Sequence, residues 1–217
     1  MPSCCPICNT ENPASARFCA NCGNRLPERR QTESERRVVT VLFCDVKGST
    51  ALAEKLDPED WTEVIDGAFK VLTPPIRRYG GTVARLLGDA VLAFFGAPAA
   101  HEDDPERAIR AGLDMLQATV AYRERLVRER GATFAEFDIR IGINTGLAVV
   151  GGVGAGQGIE YTGMGDEVNV AQRLQSLARP GTMLVSEHTL KLVPPVFEWE
   201  PVGELQVKGR EGTLNAF

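Results

Sequence analysis

The sequence predicts an α+β fold with a small metal-stapled module at its N-terminus. Three observations predict it. Val38–Val46 (VVTVLFCDV) is a nearly all-apolar, β-branched run of the kind a buried central strand needs. Two strand-like runs, Thr82–Leu87 and Ala90–Phe95, flank the turn Gly88-Asp89 and lie between two long stretches of helical periodicity. Five of the six cysteines fall within the first 22 residues.

Those cysteines form two knuckles, Cys5-Pro6-Ile7-Cys8 and Cys19-Ala20-Asn21-Cys22, with Cys4 as a spare thiol. Each knuckle brings two thiolates to one ion from a tight turn, and the pair completes a tetrahedral four-sulfur site for structural Zn2+. So short a segment cannot bury a core, so the metal must supply most of its folding free energy. The expected organisation is a zinc ribbon over 1–26, a polar linker over 27–37 and one larger domain over 38–217. Asp45 ends the first strand of that domain, and Gly48-Ser49-Thr50 opens a short helix, Ala51–Leu56. Asp57-Pro58 starts a longer helix towards Tyr79, which Pro74-Pro75 is expected to bend or end early. The hairpin follows, then a helix from Asp104-Pro105 to about Gly131. Strands are expected at Asp138–Asn144 and Leu147–Val150, and a glycine-rich loop over Gly151–Gly158. A short strand, Ile159–Thr162, precedes a helix over Asp166–Ala178. Short elements close the chain: strands at Met183–Val185 and Glu204–Val207 and a helix over Glu187–Leu192. The early βαβ-β stretch suits a ferredoxin-like layer.

Composition narrows the function. Apolar residues make up 43% and charged residues 24%, as in soluble globular proteins. The longest apolar stretch, Ala90–Ala100, is broken by Gly96 and Pro98 and is too short for a bilayer, so no membrane partner is expected. The N-terminus has no basic-then-apolar leader, and the expected compartment is the cytoplasm. Net charge is −5, yet the first 37 residues carry six arginines against four acids, so the body is acidic. An acidic body makes nucleic acid an unexpected partner while leaving a nucleotide substrate open, since bound cations can supply positive charge.

Asp45 and Asp89 end neighbouring strand candidates. If those strands pair, two carboxylates converge where divalent metal could sit; Asp is equally at home in turns and caps, and spacing leaves both readings open. Asn169 and Arg173, four apart on a predicted helix, share one face, where they could meet sugar and phosphate or simply solvent. His101 and His188 lie outside these groups.

Together these segments resemble the class III nucleotidyl cyclases across essentially all of residues 38–217. Phe43-Cys44-Asp45-Val46-Lys47-Gly48-Ser49-Thr50 is similar to the family's first metal-binding motif, and Leu87-Gly88-Asp89-Ala90 through Gly96 to the second. Glu160–Leu174, holding Thr162, Asn169 and Arg173, is similar to the transition-state segment, and Val207-Lys208-Gly209 to the late phosphate-binding strand. The resemblance implies that Asp45, Asp89 and the Val46 carbonyl hold two Mg2+ or Mn2+ ions. It implies that Asn169 positions the ribose, Arg173 meets the α-phosphate, and Lys208 and Thr50 meet the terminal phosphates. Thr162 and Arg85 fall on the two base-reading positions. The family's adenylyl members carry Lys where this chain has Arg85, and guanylyl relatives carry an acid there. Arg cannot accept a hydrogen bond, so ATP is the expected substrate, with a weakly active or silent nucleotide-sensing module as the competing reading. The resemblance also implies a homodimer with two composite sites. A final strand is expected to continue past Thr213–Phe217, and relatives of this arrangement often extend into an ATPase region.

Overall fold

The computed structural model describes residues 3–13, 16–26, 35–150, 166–206 and 213–217. They fall into two units, Met1–Glu33 and Ser34–Phe217.

In the first unit, β1 (Ser3–Cys4) and β2 (Glu11–Asn12) pair antiparallel. The two cysteine knuckles are built alike. Asn9 N–H donates to the Cys5 carbonyl at 2.9 Å, and Gly23 N–H to the Cys19 carbonyl at 3.0 Å. Asn9 and Gly23, each four residues past the first cysteine of its knuckle, take the left-handed backbone that turns the chain back (φ 56° and 69°). Among the described residues of this unit, the buried apolar ones are Cys5, Cys19 and Leu26. Three side chains are far too few to hold a fold by burial, as expected of a metal-stapled ribbon.

The second unit is built on five strands: β3 (Glu35–Val46), β4 (Thr82–Leu87), β5 (Ala90–Phe95), β6 (Ile139–Val150) and β7 (Thr182–Val185). Their order is β4-β5-β3-β6-β7, antiparallel except for β6 and β7. The helices are α1 (Ser49–Ala53), α2 (Pro58–Arg78), α3 (Asp104–Arg130), α4 (Asp166–Leu177) and α5 (Glu187–Lys191). The crossovers through α2 and α3 give β3, β4, β5 and β6 the expected ferredoxin-like α+β arrangement. A hairpin of β8 (Gly203–Gln206) and β9 (Thr213–Ala216) closes the chain.

The two faces of β3 are told apart by its alternation. Leu42, Cys44 and Val46 join the core beneath α2 and α3, with Ile139, Ile141 and Ile143 of β6. Val39, Val41 and Phe43 join the opposite cluster, which includes Ala171 of α4. Every residue of β5 is buried, which explains its unbroken apolar run.

Two expectations are corrected. The helix is not ended at Pro74-Pro75; α2 runs on to Arg78 because Leu72, Pro75 and Ile76 are buried, and that packing outweighs two missing N–H donors. The strands expected at Asp138–Asn144 and Leu147–Val150 are one strand. Thr145 and Gly146, which lie between the two expected strands, pair with Thr40 and Val39 inside the β3–β6 ladder. Gly146 is there for close approach: a Cβ on it would run into the Glu167 carboxylate of α4. The strand expected at Ile159–Thr162 and the loop before it lie outside the described residues, as does most of the 27–37 linker.

Candidate active site

Asp45 sits one residue from the end of β3, opposite Ala90 of β5 and Arg140 of β6. Asp89 occupies the β4–β5 turn next to Ala90, beside Gly88 at φ 63°. The strand pairing therefore carries both carboxylates to the same end of the sheet. Cys44, buried between them, registers the convergence: burial, then the charges of Asp45 and of Asp89, push its thiol well above the ordinary range, so it stays an inert thiol. Burial also raises the Asp45 carboxyl above the usual aspartate value. The Arg140 guanidinium pulls it back, the Asp89 charge pushes it up again, and the Gln175 side chain lowers it slightly.

The ion pair behind that opposition is a fork. Arg140 donates from Nε to Asp45 Oδ1 at 3.2 Å and from Nη2 to Oδ2 at 2.8 Å. Its third nitrogen, Nη1, donates to the Ser176 carbonyl near the end of α4 at 3.2 Å. Sequence reasoning missed Arg140. The signal that finds it is the antiparallel register, which sets Arg140 opposite Asp45 but becomes legible only once β3 and β6 are aligned.

A cavity of about 520 Å³ opens beside Asp89, lined by Thr50, Trp61, Phe69, Gly88 and Asp89 among others. Thr50 and Asp89 thus share one wall. Asp45, Asp89 and the Val46 carbonyl are hard oxygen donors, and a partly buried carboxylate with a second carboxylate near it is relieved by a divalent cation. This donor set fits Mg2+ or Mn2+, with the remaining coordination left to water and substrate oxygens.

Asn169 and Arg173 project from α4, Asn169 exposed and Arg173 half-buried. The helix lies on β6 where Gly142 has no side chain: a Cβ there would collide with the Ala171 carbonyl and the Gln175 amide. Arg173 Nη1 is buried and has no hydrogen-bond partner among the described residues. Among the described residues Arg173 makes no ion pair with Asp45, whose partner is Arg140. Arg85 lies half-buried on β4, where the register shifts between Val83 and Arg85 and re-aims the strand's side chains. Thr162 and Lys208 lie outside the described residues.

The ribbon cysteines form a second centre. The Sγ atoms of Cys5, Cys8, Cys19 and Cys22 all lie within 4.8 Å of one another, and Cys4 is exposed outside the group. Asn12 ties the knuckles: its amide nitrogen donates to Cys19 Sγ at 3.6 Å, and its oxygen accepts from Ala20 N–H at 2.8 Å. Hydrogen bonds from the Thr10 hydroxyl and then its amide hold Cys8 down to about 5. The Asn24 amide favours a Cys22 thiolate, yet the neighbouring sulfurs, Cys8 first, and burial push it up to about 12. Four thiols competing for so few protons are the donor set that Zn2+ resolves.

Residues 32–217 match the family described as the adenylate and guanylate cyclase catalytic domain. Over 184 residues the chain is 33% identical to adenylate cyclase 1 of Rhizobium meliloti (strain 1021), covering 84% of this chain and 27% of that protein. Adenylate cyclase of Anabaena cylindrica is 27% identical over 187 residues, covering 83% of this chain and 36% of that protein. The chain therefore spans well under half the length of these curated relatives. Among solved structures, the adenylyl cyclase CyaB from P. aeruginosa superposes with a TM-score of 0.80 at 32% identity, covering 85% of this chain and 94% of that one. The guanylyl cyclase Cya2 gives 0.77 at 30% identity, covering 84% and 91%.

Proposed function

Because the chain belongs to the adenylate and guanylate cyclase catalytic domain family, we propose that it converts ATP to cyclic AMP and pyrophosphate in composite sites of a homodimer. The observation that carries this reading is the strand pairing that sets Asp45 and Asp89 at one end of the sheet, with Asp89 on the wall of a cavity that it shares with Thr50. Two named adenylate cyclases among the relatives support the choice of base.

The ribose 3′ oxygen attacks the α-phosphorus, and the bond to the bridging oxygen of the β-phosphate breaks, so that pyrophosphate leaves with the electron pair. When bound, Mg2+ or Mn2+ supplies activation of the nucleophile and neutralises charge on the leaving group. Asp45, Asp89 and the Val46 carbonyl hold the ions. Asn169 orients the ribose, and Arg173 offers its planar fork to the α-phosphate. Thr50 and Lys208 meet the terminal phosphates. Arg85 donates to adenine N1 while the Thr162 hydroxyl accepts from the adenine amino group. Arg140 holds the Asp45 carboxylate through its two-point fork in the metal-free chain. The buried Arg173 Nη1, without a partner among the described residues, suits a second copy as the complement of the Asn169–Arg173 face. The ribbon holds structural Zn2+. A nucleoside triphosphate substrate and reduced cysteine ligands suit the cytoplasm, and no described helix is long and apolar enough to cross a membrane.

The test is the purified protein with Mn2+ and either ATP or GTP, assayed for cyclic product. Cyclic AMP should exceed cyclic GMP, and Asp89→Ala should remove both while leaving the thermal midpoint nearly unchanged. No cyclic nucleotide from either substrate would leave the silent nucleotide-sensing module, the reading that Arg85 favours.

A further inference from the structure

Gln175 is the most conspicuous polar side chain that the chemistry above leaves without a task. It is 2% exposed, in the last turn of α4, and its Nε2 is buried with no hydrogen-bond partner among the described residues. Ser176 Oγ gives its shorter hydrogen bond to the Gln172 carbonyl at 2.9 Å and lies 3.4 Å from Gln175 Oε1, while the donor end of the Gln175 amide has no partner among the described residues. A buried donor without an acceptor is costly, and such groups are kept where another state of the protein satisfies them.

The backbone shows which acceptor that is. The backbone nitrogen of Gln175 rests on Gly142 of β6, in the space a Cβ would fill. Arg140 lies two residues along the same face of β6, directly opposite Asp45, and its Nη1 reaches the Ser176 carbonyl next to Gln175. Gln175 therefore stands near the Asp45 carboxylate, close enough for its side chain to favour the charged form but not within hydrogen-bond length, while both carboxylate oxygens are engaged by the Arg140 fork.

We infer that Gln175 is a positioning residue for Asp45. When a divalent cation draws one carboxylate oxygen away from Arg140, the Gln175 N–H takes the other and fixes which oxygen faces the ion. The inference rests on reading Asp45 as a cation ligand. Partners behind a ligand typically change metal affinity 10–100-fold when removed.

The experiment uses Gln175→Met, which keeps length and bulk but has neither a donor nor an acceptor end. Bound and free Mn2+ are counted by electron paramagnetic resonance with the α,β-methylene analogue of ATP, which cannot release pyrophosphate. Mn2+ binding should weaken about tenfold. Analogue affinity at saturating Mn2+ should stay within twofold, and the metal-free thermal midpoint should hold or rise. A packing role alone would lower the midpoint and spare Mn2+ affinity, and that result overturns the inference. Asp45→Ala separates the two layers. Unchanged Mn2+ binding there overturns the cation-site reading itself, whereas loss there with an unchanged Gln175→Met overturns only the role of Gln175. Should Gln175→Met fail to fold, the 15N-labelled wild type decides: a slowly exchanging glutamine side-chain proton must shift downfield when Mg2+ and the analogue are added. If none shifts, the inference is wrong.

Discussion

Asp45 and Arg140 face each other across the β3–β6 ladder and share two hydrogen bonds, of 3.2 and 2.8 Å, though 95 residues separate them in the chain. A candidate metal ligand is thereby held by the protein's own cation, and metal binding is an exchange of one positive partner for another. Arg140→Ala should cost the metal-free protein about 1–3 kcal/mol, because it leaves a partly buried carboxylate unpaired. Mn2+ should recover most of that loss, so the metal-induced rise in thermal midpoint should be larger in the variant than in the wild type. An equal rise in both would show that Arg140 and the ion do not compete.

The elevated pKa of Asp45 sets the sign of a pH effect. A carboxyl raised by burial is better tolerated protonated, so its contribution to stability is fully present below the unfolded aspartate pKa and is lost as pH rises through the folded value. Asp45→Asn should therefore gain stability relative to the metal-free wild type across the window from about pH 4 upward, and the gain should level off above the folded pKa. Chemical denaturation in EDTA at several pH values measures it. A difference that shrinks with rising pH would contradict the burial-dominated shift.

Composite sites in a homodimer predict complementation. Neither Asp45→Ala nor Arg173→Ala should turn over alone. An exchanged equimolar mixture should regain roughly a quarter of wild-type activity, since half the dimers are mixed and each has one intact site of two. A dead mixture with proven subunit exchange would rule out composite sites.

In the ribbon, Cys5→Ser and Cys22→Ser should each release bound zinc, close to one ion per chain by mass spectrometry under native conditions. The 35–217 unit should keep its thermal transition, because its core is built from its own sheet and helices.

Arg85→Lys should raise cyclic AMP production and sharpen the preference for ATP. With Arg85, guanine's N1–H has no acceptor, at a cost of about 1–3 kcal/mol. The compact ammonium meets adenine N1 without displacing the ring. Identical rates with both substrates before and after the change would place Arg85 away from the base.

Much of this architecture is legible in the sequence because it rests on local chemistry. The apolar run around Val41, the Gly88 turn, the Pro58 and Pro105 helix starts and the cysteine spacing each act within a few residues. The errors fall where a distant partner decides. Thr145-Gly146 reads as a break between two strands until Glu167 of α4 is seen to need the space, and Pro74-Pro75 reads as a helix end until the burial of Ile76 is known. Arg140 and Gln175 escaped notice for the same reason: nothing near them in the chain marks them, and only the register of β6 and the seat of α4 bring them to Asp45.

The twelve-residue β3–β6 ladder also constrains how the protein is made. Thr40 and Thr145, whose hydroxyls meet at 2.9 Å in its middle, are 105 residues apart. At about 5–20 residues per second, β3 leaves the ribosome roughly 5–20 s before the strand that covers its long edge. For that interval Val39, Val41 and Phe43 have only the later β5 hairpin as shelter, and non-local pairing of this kind nucleates slowly. The nascent chain is thus most vulnerable to association just before β6 emerges. Truncation anywhere upstream of Ile139 should yield a chaperone client rather than a smaller domain.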